Sequence, residues 1–107
     1  MENWTSICRL EEIPRQGARV VCTVKGDIAV FRTTDDQVFA LADSCPHRAG
    51  PLSQGIVAGR TVTCPLHGMK IRLDNGQAEA PDEGQASCIA VRQDNDGLVW
   101  LALGASS

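Results

Sequence analysis

The stretch CPHRAGPLSQGIVAGRTVTCPLH, residues 45–67, begins with Cys45-Pro46-His47 and ends with Cys64-Pro65-Leu66-His67, with sixteen residues between the two motifs. These motifs contain both histidines of the chain, and each histidine lies within three residues of a cysteine. Proline and glycine are frequent here, which is typical of loops. Sulfur and imidazole donors suit zinc or iron, whereas calcium and magnesium take oxygen ligands. The stretch therefore predicts a metal centre built from two loops.

The five cysteines of the chain fall into two groups. Cys8, Cys22 and Cys88 each lie in an apolar, strand-like run, and we expect them to be buried as small hydrophobic side chains. Cys45 and Cys64 lie in predicted loops beside a histidine, so they are the candidate metal ligands.

Length and composition limit the possible functions. The 107 residues are enough for one domain with one core. A net charge of −3 argues against nucleic acid as the main partner, because phosphate binding requires a basic surface. No stretch approaches the roughly 18 apolar residues of a membrane-spanning helix. The N-terminus has neither the basic head nor the apolar core of a secretion signal, so we expect a cytoplasmic protein.

Short β-branched runs separated by turn residues predict strands on both sides of the two loops. One helical turn is predicted at 52–54, and no amphipathic helix of about ten or more residues is expected anywhere. This pattern predicts an all-β sandwich or barrel, with residues 43–73 as a loop-rich insert. The predicted strands are 4–10, 18–24, 28–33, 38–42, 60–63, 69–73, 88–92 and 98–103.

Two of these segments make detailed predictions. The clean alternation of 69–73 places Met69, Ile71 and Leu73 in the core and the two basic residues between them outside. Asn75-Gly76 predicts a hairpin with a type I′ turn, since these residues accept positive φ angles. In the last strand, Trp100 is expected in the core.

The pattern Cys45-x-His47, sixteen residues, Cys64-x-x-His67 resembles the two-loop signature of Rieske [2Fe–2S] proteins. The resemblance implies that Cys45 and Cys64 bind one iron and that His47 and His67 bind the other. It further implies a Rieske-type antiparallel β fold forming a single domain over 1–107, with a cluster-binding subdomain at about 43–73.

Structural zinc is the alternative that the same residue types allow, because two cysteines and two histidines form a tetrahedral zinc site. Structural zinc sites usually pair like ligands at short spacing. In this chain each loop instead carries one cysteine and one histidine. A cluster with one cysteine-bound and one histidine-bound iron needs that mixed arrangement, and the pattern therefore favours iron and sulfide over zinc.

The resemblance also bears on the reduction potential. The high-potential branch of the family has a disulfide between the loops, and Gly50 and Leu66 stand at the positions of its cysteines. Met69 stands where family members have a serine, and the chain has no tyrosine to donate a hydrogen bond to a cluster sulfur. With few donors to stabilise the reduced form, a potential of roughly −150 mV is implied, at the low end of the Rieske range.

Within that family, the chain is similar to the small subunits of assimilatory NAD(P)H-dependent nitrite reductases. The similar segments are Trp4-x-x-Ile7-Cys8, the run 50–55 (GPLSQG) and the run 80–84 (APDEG). The resemblance implies a large partner subunit that carries flavin and sirohaem and reduces nitrite to ammonium. By this reading the chain is a subunit of an oxidoreductase.

Nothing in the sequence predicts a substrate site on the chain itself. It has no Gly-x-Gly-x-x-Gly fingerprint, and both histidines are assigned as ligands, which leaves none as a general base. The isolated chain is therefore expected to be an electron carrier. Two alternatives stay open: a stand-alone Rieske ferredoxin that delivers electrons to an aromatic-ring dioxygenase, and a structural or regulatory adapter subunit.

Overall fold

The computed structural model of the chain describes residues 4–23, 26–43, 52–64, 68–79, 84–86 and 88–102. These residues form ten strands and two single-turn 3₁₀ helices, Leu10–Glu12 and Leu52–Gln54, and contain no α-helix, as predicted. No helix among them is long and apolar enough to cross a membrane. The strands are β1 (Trp4–Arg9), β2 (Gly17–Thr23), β3 (Gly26–Arg32), β4 (Val38–Ala42), β5 (Ile56–Ala58), β6 (Thr61–Thr63), β7 (Lys70–Arg72), β8 (Cys88–Ile89), β9 (Val91–Gln93) and β10 (Leu98–Ala102).

The strands pair into three antiparallel sheets, which confirms the all-β prediction. One sheet has the order β1-β10-β9, the second has β2-β3-β4-β8, and the third has β5-β6-β7. In the sequence, β5 and β6 of the third sheet lie between the two predicted ligand loops, and β7 follows the second loop.

Strand β3 of the four-stranded sheet is buried on both of its faces. Ile28 and Val30 pack with residues of the β1-β10-β9 sheet, and Ala29 and Phe31 pack with residues of the β5-β6-β7 sheet. A strand covered on both faces does not alternate between polar and apolar residues. This explains why 28–31 is a continuous apolar run in the sequence.

Strand β7 confirms the alternation predicted for 69–73. Met69, Ile71 and Leu73 are buried, while Lys70 and Arg72 are exposed. Strand β5 was not predicted, because its three residues lie between two glycines and read as loop. It forms by pairing with β6 in the register Ile56–Thr63, Val57–Val62 and Ala58–Thr61.

Two of the three cysteines expected to be buried are exposed. Cys8 is buried as predicted, whereas Cys22 and Cys88 are exposed. The physical reason is topology, since β2 and β8 are the two edge strands of the four-stranded sheet and, among the described residues, have no paired strand on one side.

The prediction that Trp100 lies in the core is wrong. Its neighbours Val99 and Leu101 fill the core, so Trp100 lies half-buried on the opposite face of β10. The indole Nε1–H donates to Asp94 Oδ2 at 3.0 Å. The Arg92 guanidinium lies 5.2 Å from the centroid of the Trp4 ring and 6.0 Å from that of Trp100. This cation–π stack covers the outer face of the β1-β10-β9 sheet.

Two local predictions also need correction. A hairpin does form around Asn75, with a bridge between Ile71 and Ala78, but only Gly76 has a positive φ, of 75°. The turn is therefore not type I′, and it closes by a hydrogen bond from Gly76 N to Arg72 O at 2.7 Å. The predicted strand 88–92 is interrupted at Ala90, so that β8 pairs with β4 while β9 pairs with β10.

We expect the acid sensitivity of the fold to depend on Asp94. Hydrogen bonds from Leu98 N–H, the Trp100 indole and Asp96 N–H hold the pKa of the Asp94 carboxyl below its usual value. The unfolded chain therefore binds a proton at the Asp94 carboxylate more tightly than the folded chain does. Asp94 stabilises the fold at pH values above its pKa in the unfolded chain, which is about 3.9. That contribution is lost as the pH falls through the lower folded-state pKa. Asp94→Asn should flatten the decline of the urea midpoint between about pH 5 and pH 2.5.

Asp96→Asn is the matched control, because it removes an equal charge from the same turn. Asp96→Asn keeps the backbone N–H that donates to Asp94 Oδ1 at 2.9 Å, so its urea midpoint should still decline steeply with acid. An equally steep decline for Asp94→Asn would contradict the assignment of this stability to the Asp94 hydrogen bonds.

Candidate metal centre

The first predicted ligand loop is held at its two ends by one carboxylate. Strand β4 ends at Ala42, and Asp43 follows it. Asp43 Oδ1 accepts a hydrogen bond from Ser53 N at 2.7 Å, and Asp43 Oδ2 accepts one from Ser53 Oγ at 2.8 Å. Next to Ser53, Leu52 is fully buried. This Asp43–Ser53 clamp fixes where the loop leaves and rejoins the fold.

The second predicted loop is closed by backbone hydrogen bonds. Cys64 follows β6 directly, and its N–H donates to Met69 O at 2.7 Å. Gly68 N donates back to Cys64 O at 3.0 Å. Gly68 has a φ of 72°, a left-handed conformation that favours glycine. These bonds extend the β6–β7 pairing to Cys64.

Both loop ends rest on one apolar cluster. Leu52 from the first loop, and Cys64 and Met69 from the second, belong to the same set of buried residues. Val57, Val62 and other residues of the β5-β6-β7 sheet complete the set on the inner side. Packing of both ends on one core gives the two loops a common base.

Of the four predicted ligands, Cys64 is within the described part of the chain. Its side chain is 1% exposed, at the end of a hydrogen-bonded hairpin. Cys45, His47 and His67 lie outside the described residues. A buried sulfur in a loop fixed by its own backbone fits the thiolate ligand of a Rieske-type cluster, and two cysteines with two histidines are the donor set of that cluster.

Cys8, Cys22 and Cys88 do not form a group of metal ligands within the described residues. Burial raises the pKa of Cys8, and a hydrogen bond with Asp27 raises that of Cys22. The pKa of the exposed Cys88 is raised by partial desolvation of its sulfur and by the nearby Asp74 carboxylate. The three residues also lie on three different strands, β1, β2 and β8.

The Asp43–Ser53 clamp was missed by sequence reasoning, because an aspartate and a serine ten residues apart give no specific signal. We expect Asp43→Ala to lower the free energy of unfolding by about 2–3 kcal/mol, since both hydrogen bonds go to a charged acceptor. Ser53→Ala removes only the hydroxyl bond and should cost about 1 kcal/mol. Urea unfolding measures both values. Equal effects of the two substitutions would contradict the clamp.

The sequence profile of the Rieske-like [2Fe-2S] domain family matches residues 3–102. The 3-phenylpropionate/cinnamic acid dioxygenase ferredoxin subunit of Photorhabdus laumondii is 40% identical over 101 residues, which cover 91% of each chain. The phthalate 4,5-dioxygenase oxygenase subunit of Pseudomonas putida is 33% identical over an alignment of 112 positions that covers 95% of this chain. The chain spans only about a quarter of that oxygenase subunit, 26% of its length.

Solved structures share the fold over nearly the whole chain. A protein proposed to be the NADH-dependent nitrite reductase small subunit of Mycobacterium tuberculosis superposes with a TM-score of 0.86 at 24% identity, covering 99% of both chains. A chain from the oxygenase–ferredoxin complex of carbazole 1,9a-dioxygenase superposes with a TM-score of 0.81 at 28% identity, covering 92% of both chains.

Proposed function

Because the chain belongs to the Rieske-like [2Fe-2S] domain family, we propose that it carries single electrons as the small subunit of a cytoplasmic NAD(P)H-dependent nitrite reductase. Its cofactor is a Rieske-type [2Fe–2S] cluster, which takes up and releases one electron when bound. The family match over residues 3–102 is the observation that carries the electron-transfer function.

We propose Cys45 and Cys64 as ligands of one iron and His47 and His67 as ligands of the other, within a cluster-binding subdomain at about 43–73 of a single domain. The mixed ligand pairs in the sequence and the buried, hairpin-bound position of Cys64 support this assignment. With both histidines used as ligands, the chain keeps no histidine for acid–base catalysis. Substrate chemistry therefore belongs to a partner protein.

The nitrite reductase assignment is supported by the sequence runs 50–55 and 80–84 noted above. It is also supported by a solved protein proposed to be a nitrite reductase NADPH small subunit, which has a TM-score of 0.79 and 25% identity. The test is reconstitution with the flavin- and sirohaem-containing large subunit of the same organism. NADH-dependent nitrite reduction that requires the cluster-loaded chain is the expected result. Equal nitrite reduction by the large subunit alone would contradict it.

A second candidate is a ferredoxin for an aromatic-ring dioxygenase. The 40% identity to the Photorhabdus laumondii ferredoxin subunit over 91% of both chains favours it. A neighbouring gene for an oxygenase α-subunit, in place of one for a sirohaem-type reductase, would point to this role.

The reduction potential tests the carrier function without a partner. We expect a midpoint of roughly −150 mV, because Met69 and the absence of tyrosine leave few hydrogen-bond donors for the reduced cluster. Film voltammetry of the purified protein at neutral pH measures it. A potential near the +300 mV end of the Rieske range would contradict the inference from these residues.

A further inference from the structure

Charge is distributed unevenly along this chain. Residues 44–73 contain four basic residues, Arg48, Arg60, Lys70 and Arg72, and no acidic residue, so their formal charge is +4. Because the whole chain has a formal charge of −3, the remaining residues together carry −7. The segment with the proposed cluster ligands is thus opposite in charge to the rest of the chain. Such an asymmetry orients a charged partner as it approaches.

Two of the described basic residues of this segment, Lys70 and Arg72, lie on one face of the β5-β6-β7 sheet. The register aligns Ile56, Thr63 and Lys70 in one row across the three strands. A second row aligns Ala58, Thr61 and Arg72. The residues between these rows, Val57, Val62 and Ile71, are buried in the core, so the two rows form the outer face of the sheet. We call these six outward residues the basic face.

The charges of the basic face remain available to a partner. Lys70 is exposed, and although the backbone of Glu79 pairs with it (Glu79 N to Lys70 O, 2.8 Å), the described residues hold no carboxylate within ion-pair distance of its ammonium group. Arg72 pairs with Asp74 at 3.1 Å, but both side chains are well exposed, at 52% and 39%. An exposed pair of this kind is held by at most about 1 kcal/mol, which a competing carboxylate can replace.

An apolar side chain stands beside these charges. Ile56 is 73% exposed, and Val20 at 40% is the other large hydrophobic residue of the described chain that is exposed. Covering an isoleucine exposed to this degree stabilises a complex, because apolar surface is removed from water. An apolar anchor with a charged rim is the usual composition of a docking surface.

The first row of the basic face lies beside the second predicted loop. Thr63 immediately precedes Cys64, and Lys70 immediately follows Met69, whose carbonyl oxygen accepts the hydrogen bond from Cys64 N at 2.7 Å. A protein seated on Ile56 and Lys70 is therefore adjacent to the loop that carries Cys64 and His67.

We propose that the basic face is the docking surface for an acidic region of the redox protein that exchanges electrons with this chain. The proposal rests on the electron-carrier function proposed above. It assigns Lys70 and Arg72 to electrostatic attraction and Ile56 to apolar contact.

The test uses cluster-loaded protein and a flavodoxin, an acidic one-electron carrier, as the probe. Binding of oxidised flavodoxin is measured by calorimetry at low and at physiological ionic strength. We expect the affinity to fall at least about tenfold with added salt, although both proteins carry net negative charge. Lys70→Glu should weaken binding about fivefold and Ile56→Thr about threefold at low salt.

Matched controls separate the face from overall charge and hydrophobicity. Arg19→Glu on β2 changes the net charge as Lys70→Glu does, and Val20→Thr removes the other exposed hydrophobic residue. Both controls should change the affinity by less than about twofold. Equal weakening by Lys70→Glu and Arg19→Glu, or no salt-sensitive binding, would overturn the docking proposal.

The same samples distinguish failure of docking from failure of the carrier function. Flavodoxin hydroquinone is mixed with the oxidised protein, and loss of the cluster absorbance follows electron uptake. Binding that maps to the basic face without electron uptake would leave docking standing and contradict the carrier function. Electron uptake at equal rates in Lys70→Glu and Arg19→Glu would contradict the docking proposal and leave the carrier function standing.

Discussion

Replacing Cys64 with serine is expected to lower the iron and sulfide content of the purified protein at least about tenfold and to abolish its visible colour. The reason is chemical, since serine is not a thiolate donor and a buried hydroxyl cannot replace one. The site is specific, because Cys64 is 1% exposed at the end of β6 and its backbone is fixed by the bond to Met69 O. Iron, sulfide and absorption measurements give the result directly.

Cys88→Ser and Cys22→Ser are the controls for this substitution. Both cysteines are exposed on the edge strands β2 and β8, whereas Cys64 is buried at the end of β6. These variants should keep the full cluster content. Retention of the cluster by Cys64→Ser would contradict the ligand assignment.

The same variant tests the adapter alternative in the proposed complex with the nitrite reductase large subunit. If the chain transfers electrons, a complex containing Cys64→Ser should lose nitrite reduction while the subunits still associate. Full nitrite reduction by a complex without the cluster would favour a structural or regulatory role.

Gly55→Ala is expected to lower the free energy of unfolding by about 3 kcal/mol or more and to reduce cluster content. A Cβ at this position would overlap the carbonyl oxygen of Thr63 and approach Val62 Cγ2 to 2.8 Å. Thr63 is the residue before Cys64, so we expect relief of the overlap to displace the end of β6 that positions this proposed ligand. Urea unfolding and iron content report the two effects separately.

Gly59→Ala is the matched control within the same hairpin. Gly59 has a φ of 59°, and a Cβ there would meet no atom within 4 Å. Only the cost of a left-handed alanine applies, about 1 kcal/mol, and the cluster should be retained. A Gly55→Ala protein as stable as Gly59→Ala would show that β6 can move without loss of the site.

The sequence predicted those features that depend on local chemistry. The ligand assignment stays a prediction from the sequence, because Cys45, His47 and His67 lie outside the described residues. The inward side of 69–73 is readable because one face of β7 is buried and the other is exposed. The helical turn predicted at 52–54 is confirmed as a 3₁₀ turn at Leu52–Gln54, which likewise depends on local sequence.

Features that depend on sheet order could not be predicted. Cys22 and Cys88 are exposed because their strands lie at the edges of a sheet. The residues that flank them do not indicate this edge position. Strand β5 exists through pairing with β6, and Trp100 lies outside because Val99 and Leu101 occupy the inner face of β10. The Asp43–Ser53 clamp joins two segments whose closeness arises only once the first loop has closed.

Mössbauer spectroscopy of protein enriched in ⁵⁷Fe measures the two iron environments most directly. With Cys45 and Cys64 on one iron and His47 and His67 on the other, the oxidised protein should give two different ferric sites in equal amount. On addition of one electron, the histidine-bound site alone should become ferrous. Two identical iron sites, or a colourless protein that contains one zinc per chain, would contradict the mixed cysteine and histidine centre.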